Sequence, residues 1–161
     1  MQELLGLTDG LPEVALATDE VLLKDGDAAR DLFVLVSGTV VVRKDGEDFV
    51  TISVPGSCIG ELAVLLERHH TATIVATEPT TLRVIHGASA TLRDNPAVLH
   101  AVAALLAHRL DLVNHYLADL QHQYRDVDGG LGLVGDVLKS LAAHPLNDLE
   151  PGSEREPDPL Y

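Results

Sequence analysis

Between residues 20 and 86, short apolar and β-branched runs are cut by turn dipeptides, and few architectures accept such a chain. Val21-Leu22-Leu23 meets Lys24-Asp25-Gly26-Asp27, and Leu32-Phe33-Val34-Leu35-Val36 ends at Ser37-Gly38. Thr39-Val40-Val41-Val42-Arg43 ends at Asp45-Gly46, and Phe49-Val50-Thr51-Ile52-Ser53-Val54 at Pro55-Gly56. Each such dipeptide reverses the chain, so successive runs lie beside one another as strands of a small barrel or roll. The pattern resumes over Thr71–Thr77 and Thr81–His86, with Glu78-Pro79 between them. The expected fold class is mainly β with flanking helices, a jelly-roll-like β-roll followed by a long C-terminal helix.

That helix is predicted from Asn95-Pro96, an N-cap and a first helical residue, to about Arg125. Leu99, Leu106, Val113 and Leu120 recur every seven residues, and Ala103, Leu110, Leu117 and Tyr124 repeat four residues later. The two series form an a/d seam that predicts pairing with a second copy, a homodimer. Val98, Leu105 and Leu112 form another apolar line, expected to pack on the roll. Upstream, Gly10 and Pro12 limit residues 1–17 to an N-terminal helical cap. The remaining divisions are 18–94 for the roll, 95–126 for the dimerisation helix and 127–144 for a short helical segment after Gly129-Gly130. An acidic tail at 145–161, rich in Pro, Glu, Asp and Ser, is expected to be disordered.

With 161 residues the chain is long enough for one domain. Its net charge of −14 repels phosphate backbones, so no nucleic acid is expected to bind this chain alone. A single cysteine, Cys58, forms no intrachain disulfide and is expected to be a small buried apolar residue. No uninterrupted apolar run reaches the ~18 residues of a spanning helix, and Met1-Gln2-Glu3-Leu4-Leu5 lacks a basic leader region. No membrane partner and a cytoplasmic location are the expectations.

The stretch most specific for function is Gly60-Glu61-Leu62-Ala63-Val64-Leu65-Leu66-Glu67-Arg68-His69-His70-Thr71-Ala72-Thr73. A Gly-Glu-apolar-Ala turn opens a short helix, about Leu62 to Leu66, and a Thr-Ala-Thr strand closes the loop. The first N–H groups of a helix have no intrahelical acceptor and its dipole favours negative charge there, so this geometry suits a small anion. Gly60 permits close approach, and Leu62 and Ala63 offer N–H groups.

This stretch resembles the phosphate-binding cassette of cyclic-nucleotide-binding domains. Its setting among turn-punctuated strands, with Asp25-Gly26-Asp27, Val36-Ser37-Gly38 and Val54-Pro55-Gly56 upstream, is similar to the sensory half of Crp/Fnr regulators. The resemblance covers roughly residues 18–125. It implies that Glu61 accepts from a ribose 2′-hydroxyl, that Thr71 faces the phosphate, and that the ligand is cAMP or cGMP. The implied ligand-binding set is Gly60, Glu61, Leu62, Ala63, His70 and Thr71. Tight binders of that family place arginine where this chain has His70, and often proline where it has His69. Histidine, with a reference pKa near ~6.5, carries at most a fraction of a charge at neutral pH. Replacing a charge-assisted contact in this way costs about 1.5–3 kcal/mol. Arg68, two residues earlier, is a more distant source of charge.

Other motifs carry less. His69-His70 cannot readily chelate a metal, because neighbours on a strand face opposite ways, and no partner stands at zinc spacing. His108, His115 and His122 line one helical face, expected to be solvated. No nucleophile elbow, phosphate-binding P-loop or HExxH motif is present, so neither catalysis, metal nor cofactor is expected. The predicted function is a non-enzymatic sensor that binds a cyclic nucleotide and signals through its long helix to a downstream protein partner. The alternative is a degenerate fold that binds no nucleotide and serves as an interaction and dimerisation module. A sensor of another anionic effector is a third possibility.

Overall fold

The computed structural model describes residues 2–123, with side chains to residue 119. The expectations for 127–144 and 145–161 lie outside these residues, as do Tyr124 and the side chains of Leu120 and His122. Helix α1 (Gln2–Leu7) precedes strands β1 (Glu13–Leu16), β2 (Val21–Leu23), β3 (Leu32–Ser37), β4 (Val40–Lys44), β5 (Glu47–Ile52) and β6 (Cys58–Ile59). Helix α2 (Glu61–Leu65) interrupts them. Strands β7 (Thr73–Ala76) and β8 (Thr80–Ile85) follow, then helices α3 (Ala88–Asp94) and α4 (Pro96–Gln123). The strands form two antiparallel four-stranded sheets, ordered β1-β8-β3-β6 and β2-β7-β4-β5. This is the expected β-roll followed by a long helix.

The described residues divide into two units, one ending at His108 and the other beginning at Arg109. In the first, β3 explains why five apolar residues run together: it is buried on both faces. Leu32 and Val34 join Cys58, Ile85, Val98, Ala101, Val102 and Leu105 in a core cluster that includes α1, α3 and the start of α4. Leu35, with Val40, Ile59, Ile74, Ala76 and Leu82, belongs to a second cluster, and Phe33 packs against it. The alternation follows the two-residue period of a strand. Cys58 and Ile59 of β6 divide in the same way, and Cys58 is fully buried.

The turn from β3 to β4 is very tight. Gly38 has a φ of +89°, and a Cβ there would lie 2.5 Å from Thr80 Oγ1 and 2.6 Å from both the Pro79 carbonyl oxygen and Thr80 Cα. Thr80 is buried, and its hydroxyl accepts from Thr39 N–H at 3.1 Å. The two sheets are thus joined where Ser37-Gly38 turns against Pro79-Thr80.

Several expectations need correction. The proposed helical cap over 1–17 is helical only at Gln2–Leu7, because Glu13–Leu16 pairs with β8 from Glu13↔Arg83 to Leu16↔Thr80. Arg83 fastens α1 to this strand: it donates to the Leu5 carbonyl at 2.7 Å and pairs with Asp9 at 3.0 Å and Glu13 at 3.3 Å. Of the apolar line 98/105/112, Val98 and Leu105 are buried but Leu112, in the second unit, is exposed. Within the predicted seam Leu106, against the first core cluster, and Leu117 are half-buried, whereas Leu99, Ala103, Leu110 and Val113 are exposed. By length and composition alone, Pro96–Asp119 is apolar enough to cross a bilayer, although Arg109 and Asp111 interrupt its apolar run. Its first turns instead contribute Val98, Ala101, Val102 and Leu105 to the roll's core.

Candidate functional site

Helix α2 starts on Gly60, whose φ of 91° and ψ of −4° lie in the left-handed region. A side chain would be strained there, and its Cβ would also stand 3.3 Å from the Asp31 carbonyl oxygen and 3.4 Å from His70 Cε1. No side chain caps the helix. The Val64 N–H reaches back to the Gly60 carbonyl at 3.2 Å, so helical geometry leaves Leu62 and Ala63 N–H groups with no intrahelical acceptor.

The structure brings Gly60, Glu61, Ala63 and His70 together around this N-terminus. Glu61 is 4% exposed and His70 6%, both deep for polar side chains, and Ala63 is also buried. The side chains of Leu62 and Thr71 are exposed. His69 and His70 face opposite ways: His69 is exposed, with Nδ1 2.8 Å from the Gly26 carbonyl oxygen. Arg68 is half-buried, and its Nε is buried without a hydrogen-bond partner among the described residues.

The helix ends as tightly as it begins. Arg68 N–H donates to the Ala63 carbonyl at 3.0 Å and Glu67 N–H to the Val64 carbonyl at 3.3 Å, while Glu67 holds a φ of +51°. This is a Schellman closure with glutamate where glycine is usual. A left-handed glutamate costs about 1–2 kcal/mol. Glu67→Gly is therefore expected to raise stability by ~0.5–1 kcal/mol, less than the full strain because glycine loses more entropy on folding. A shift in the urea midpoint checks this, and an unchanged or lowered midpoint would show that the exit is unstrained.

One loop backs the site that the sequence presented only as a turn, residues 24–31. His70 N–H donates to the Asp27 carbonyl at 2.9 Å, Gly26 N–H donates to the His70 carbonyl at 2.8 Å, and Ala28 bridges His69. The other end of the same loop holds α3. Asp31 accepts from Gly87 N–H at 3.0 Å and lies 3.1 Å from His86 Nδ1, and Ala88 N–H donates to the Arg30 carbonyl at 2.9 Å. Acidic residues beside Gly26 were the available sequence signal, but their partners lie some forty to sixty residues away.

Burial pushes the His70 pKa below the ordinary 6.5, against the pull of the Asp27 carboxylate, and His69 adds a smaller push downward. The native ring is therefore neutral at pH 7. As pH falls through 6.5 the unfolded chain takes up a proton that the native ring refuses, so this group favours folding above that pH and opposes it below.

A roll of two antiparallel sheets, interrupted by a short helix set on a left-handed glycine and followed by a long helix, defines the class: a β-roll of the cyclic-nucleotide-binding type. The family profile described as "Cyclic nucleotide-binding domain" matches residues 13–91. A Pycsar effector protein of Xanthomonas perforans is 28% identical over 130 residues, covering 79% of this chain and 40% of that protein. The cAMP-dependent protein kinase regulatory subunit of Yarrowia lipolytica is 38% identical over 72 residues, covering 45% of this chain and 19% of that protein. The Thermus thermophilus catabolite activator protein superimposes with a TM-score of 0.60 at 22% identity, over 88% of this chain and 83% of that one, a likeness of fold. The chain spans no more than 40% of the length of either curated relative.

Proposed function

We propose that this domain is a non-enzymatic regulatory module that binds cAMP or cGMP at the start of α2 and signals through α4 to a protein partner. The observation that carries this is the convergence of a buried carboxylate, Glu61, and a buried imidazole, His70, on the left-handed N-cap Gly60. Glu61 accepts from a ribose hydroxyl, the Leu62 and Ala63 N–H groups meet the phosphate, and Thr71 stands at the rim. The kinase regulatory-subunit relative supports the same ligand class. Exposed Leu99, Leu110 and Val113 support α4 pairing between two copies. The expected setting is the cytoplasm.

A second possibility is favoured by His70 itself. A neutral imidazole where an arginine would serve makes a weaker clamp, as in a degenerate fold used only for interaction and dimerisation. Calorimetric titration with cAMP and with cGMP, on the natural chain and His70→Arg, decides between them. Saturable micromolar binding by the natural chain, tightened about tenfold or more by arginine, is the expected result. Binding by His70→Arg alone would establish the degenerate fold. Silence from both folded proteins would remove the cyclic-nucleotide assignment.

A further inference from the structure

We propose that His70 is a proton-linked clamp: the imidazole takes up a proton as the phosphodiester binds, so that affinity rises as pH falls. This rests on the cyclic-nucleotide assignment above and adds to it how the site is regulated.

The geometry comes first. His70 is 94% buried by its 6% exposure, and among the described residues no group hydrogen-bonds its ring. Cε1, the carbon between the two ring nitrogens, is the atom that faces the Gly60 N-cap, 3.4 Å from where a Cβ would stand. The nitrogen-bearing edge of the ring thus lies beside Gly60, the residue from which α2 starts. Its backbone is held on both sides, by Asp27 through its N–H and by Gly26 through its carbonyl. A mostly buried, donor-capable ring beside a helix N-terminus is placed to meet an anionic oxygen bound there.

The charged groups around this corner decide the sign. The Asp27 carboxylate of the loop favours the charged ring and His69 disfavours it. Glu61 opens α2 and Arg68 precedes His69 in the ring's own segment, while the Asp31 carboxylate is turned to Gly87 and His86. From strand β2 the apolar Leu23 Cδ1 stands 3.6 Å from the Gly60 Cβ position. Without ligand, desolvation outweighs Asp27 and keeps the ring neutral. A bound phosphodiester adds a full negative charge within hydrogen-bond reach, which favours the imidazolium. The phosphodiester does not titrate near neutral pH, so the proton enters from solvent and resides on the ring. Between the ring's free and bound pKa values affinity changes by about tenfold per pH unit and levels off at either end. A guanidinium at this position stays charged throughout and has no such dependence. The domain then reads nucleotide and pH jointly.

The test is calorimetry with cAMP and cGMP at pH 6, 7 and 8, each in two buffers of different protonation enthalpy. The natural chain is expected to take up a proton, up to one per ligand, and to bind more tightly at pH 6 than at pH 8. His70→Arg should bind with no uptake and a flat pH profile, and His70→Gln weakly with a flat profile. His69→Gln should keep the uptake, since His69 is exposed and its Nδ1 lies against Gly26. Binding without proton uptake, or uptake that survives in His70→Gln, would overturn the clamp and leave nucleotide binding standing. Failure of the natural chain and His70→Arg to bind at any pH would overturn both.

Discussion

Gly38→Ala is expected to destabilise the domain by about 3–4 kcal/mol. Two effects add at this position. The backbone φ of +89° is one that side chains rarely adopt, worth ~1–2 kcal/mol for an L-residue. The added methyl would also meet Thr80 Oγ1 at 2.5 Å, with the Pro79 carbonyl oxygen and Thr80 Cα at 2.6 Å. Two of these three atoms are backbone, so no rotamer change relieves the crowding. Overpacking of this kind costs about 1–3 kcal/mol. A domain of this size holds roughly 5–15 kcal/mol in all, so the variant loses a large part of its stability. Urea unfolding followed by circular dichroism measures the change. Gly46→Ala is the internal control: its φ is +86°, but nothing lies within 4 Å of the Cβ position, so it reports strain without crowding. Equal losses in the two variants would show that the close approach to β8 contributes nothing.

Glu61→Gln is expected to weaken cyclic-nucleotide binding by about 10- to 100-fold with little change in fold, because the amide has nearly the same shape. A hydrogen bond to an ionised acceptor contributes ~1.5–3 kcal/mol, and a neutral carbonyl recovers only part of it. Glu61 is 4% exposed, so water cannot substitute freely for a lost partner. A 2′-deoxy cyclic nucleotide separates this ribose role from a general electrostatic one. If Glu61 accepts from the 2′-hydroxyl, the substitution and the deoxy ligand lose affinity non-additively, in a double-mutant sense. Full additivity would place the carboxylate elsewhere in the mechanism.

Much of the roll was legible because short strands in a small sandwich announce themselves. The run Leu32–Val36 with Ser37-Gly38, and Val40–Arg43 with Asp45-Gly46, combine β-branched residues with turn chemistry, and both are strands. Strands β1 and β6 were not legible. Glu13–Leu16 follows Pro12 and has one buried residue in four, and Cys58–Ile59 is only two residues long. Each is defined by its partner, β8 or β3, and not by a pattern of its own. Helix α3 was missed for the same kind of reason. Its N-cap, Gly87, has no side chain, and the carboxylate that accepts from Gly87 N–H is Asp31, fifty-six residues away.

The sequence by itself determined that this chain forms a turn-punctuated β-roll with a helix-opening Gly60-Glu61 and a histidine at position 70. These are local facts, fixed by φ preference, strand periodicity and residue identity. Only the tertiary structure decided that His70 is buried with its polar edge on Gly60, that residues 24–31 join the cassette to α3, and that Val98 and Leu105 pack inward while Leu112 does not. Burial and hydrogen-bond partnership depend on which distant segments fold against a residue. Desolvation follows from burial, and it sets whether His70 meets an anion as a neutral ring or as a cation.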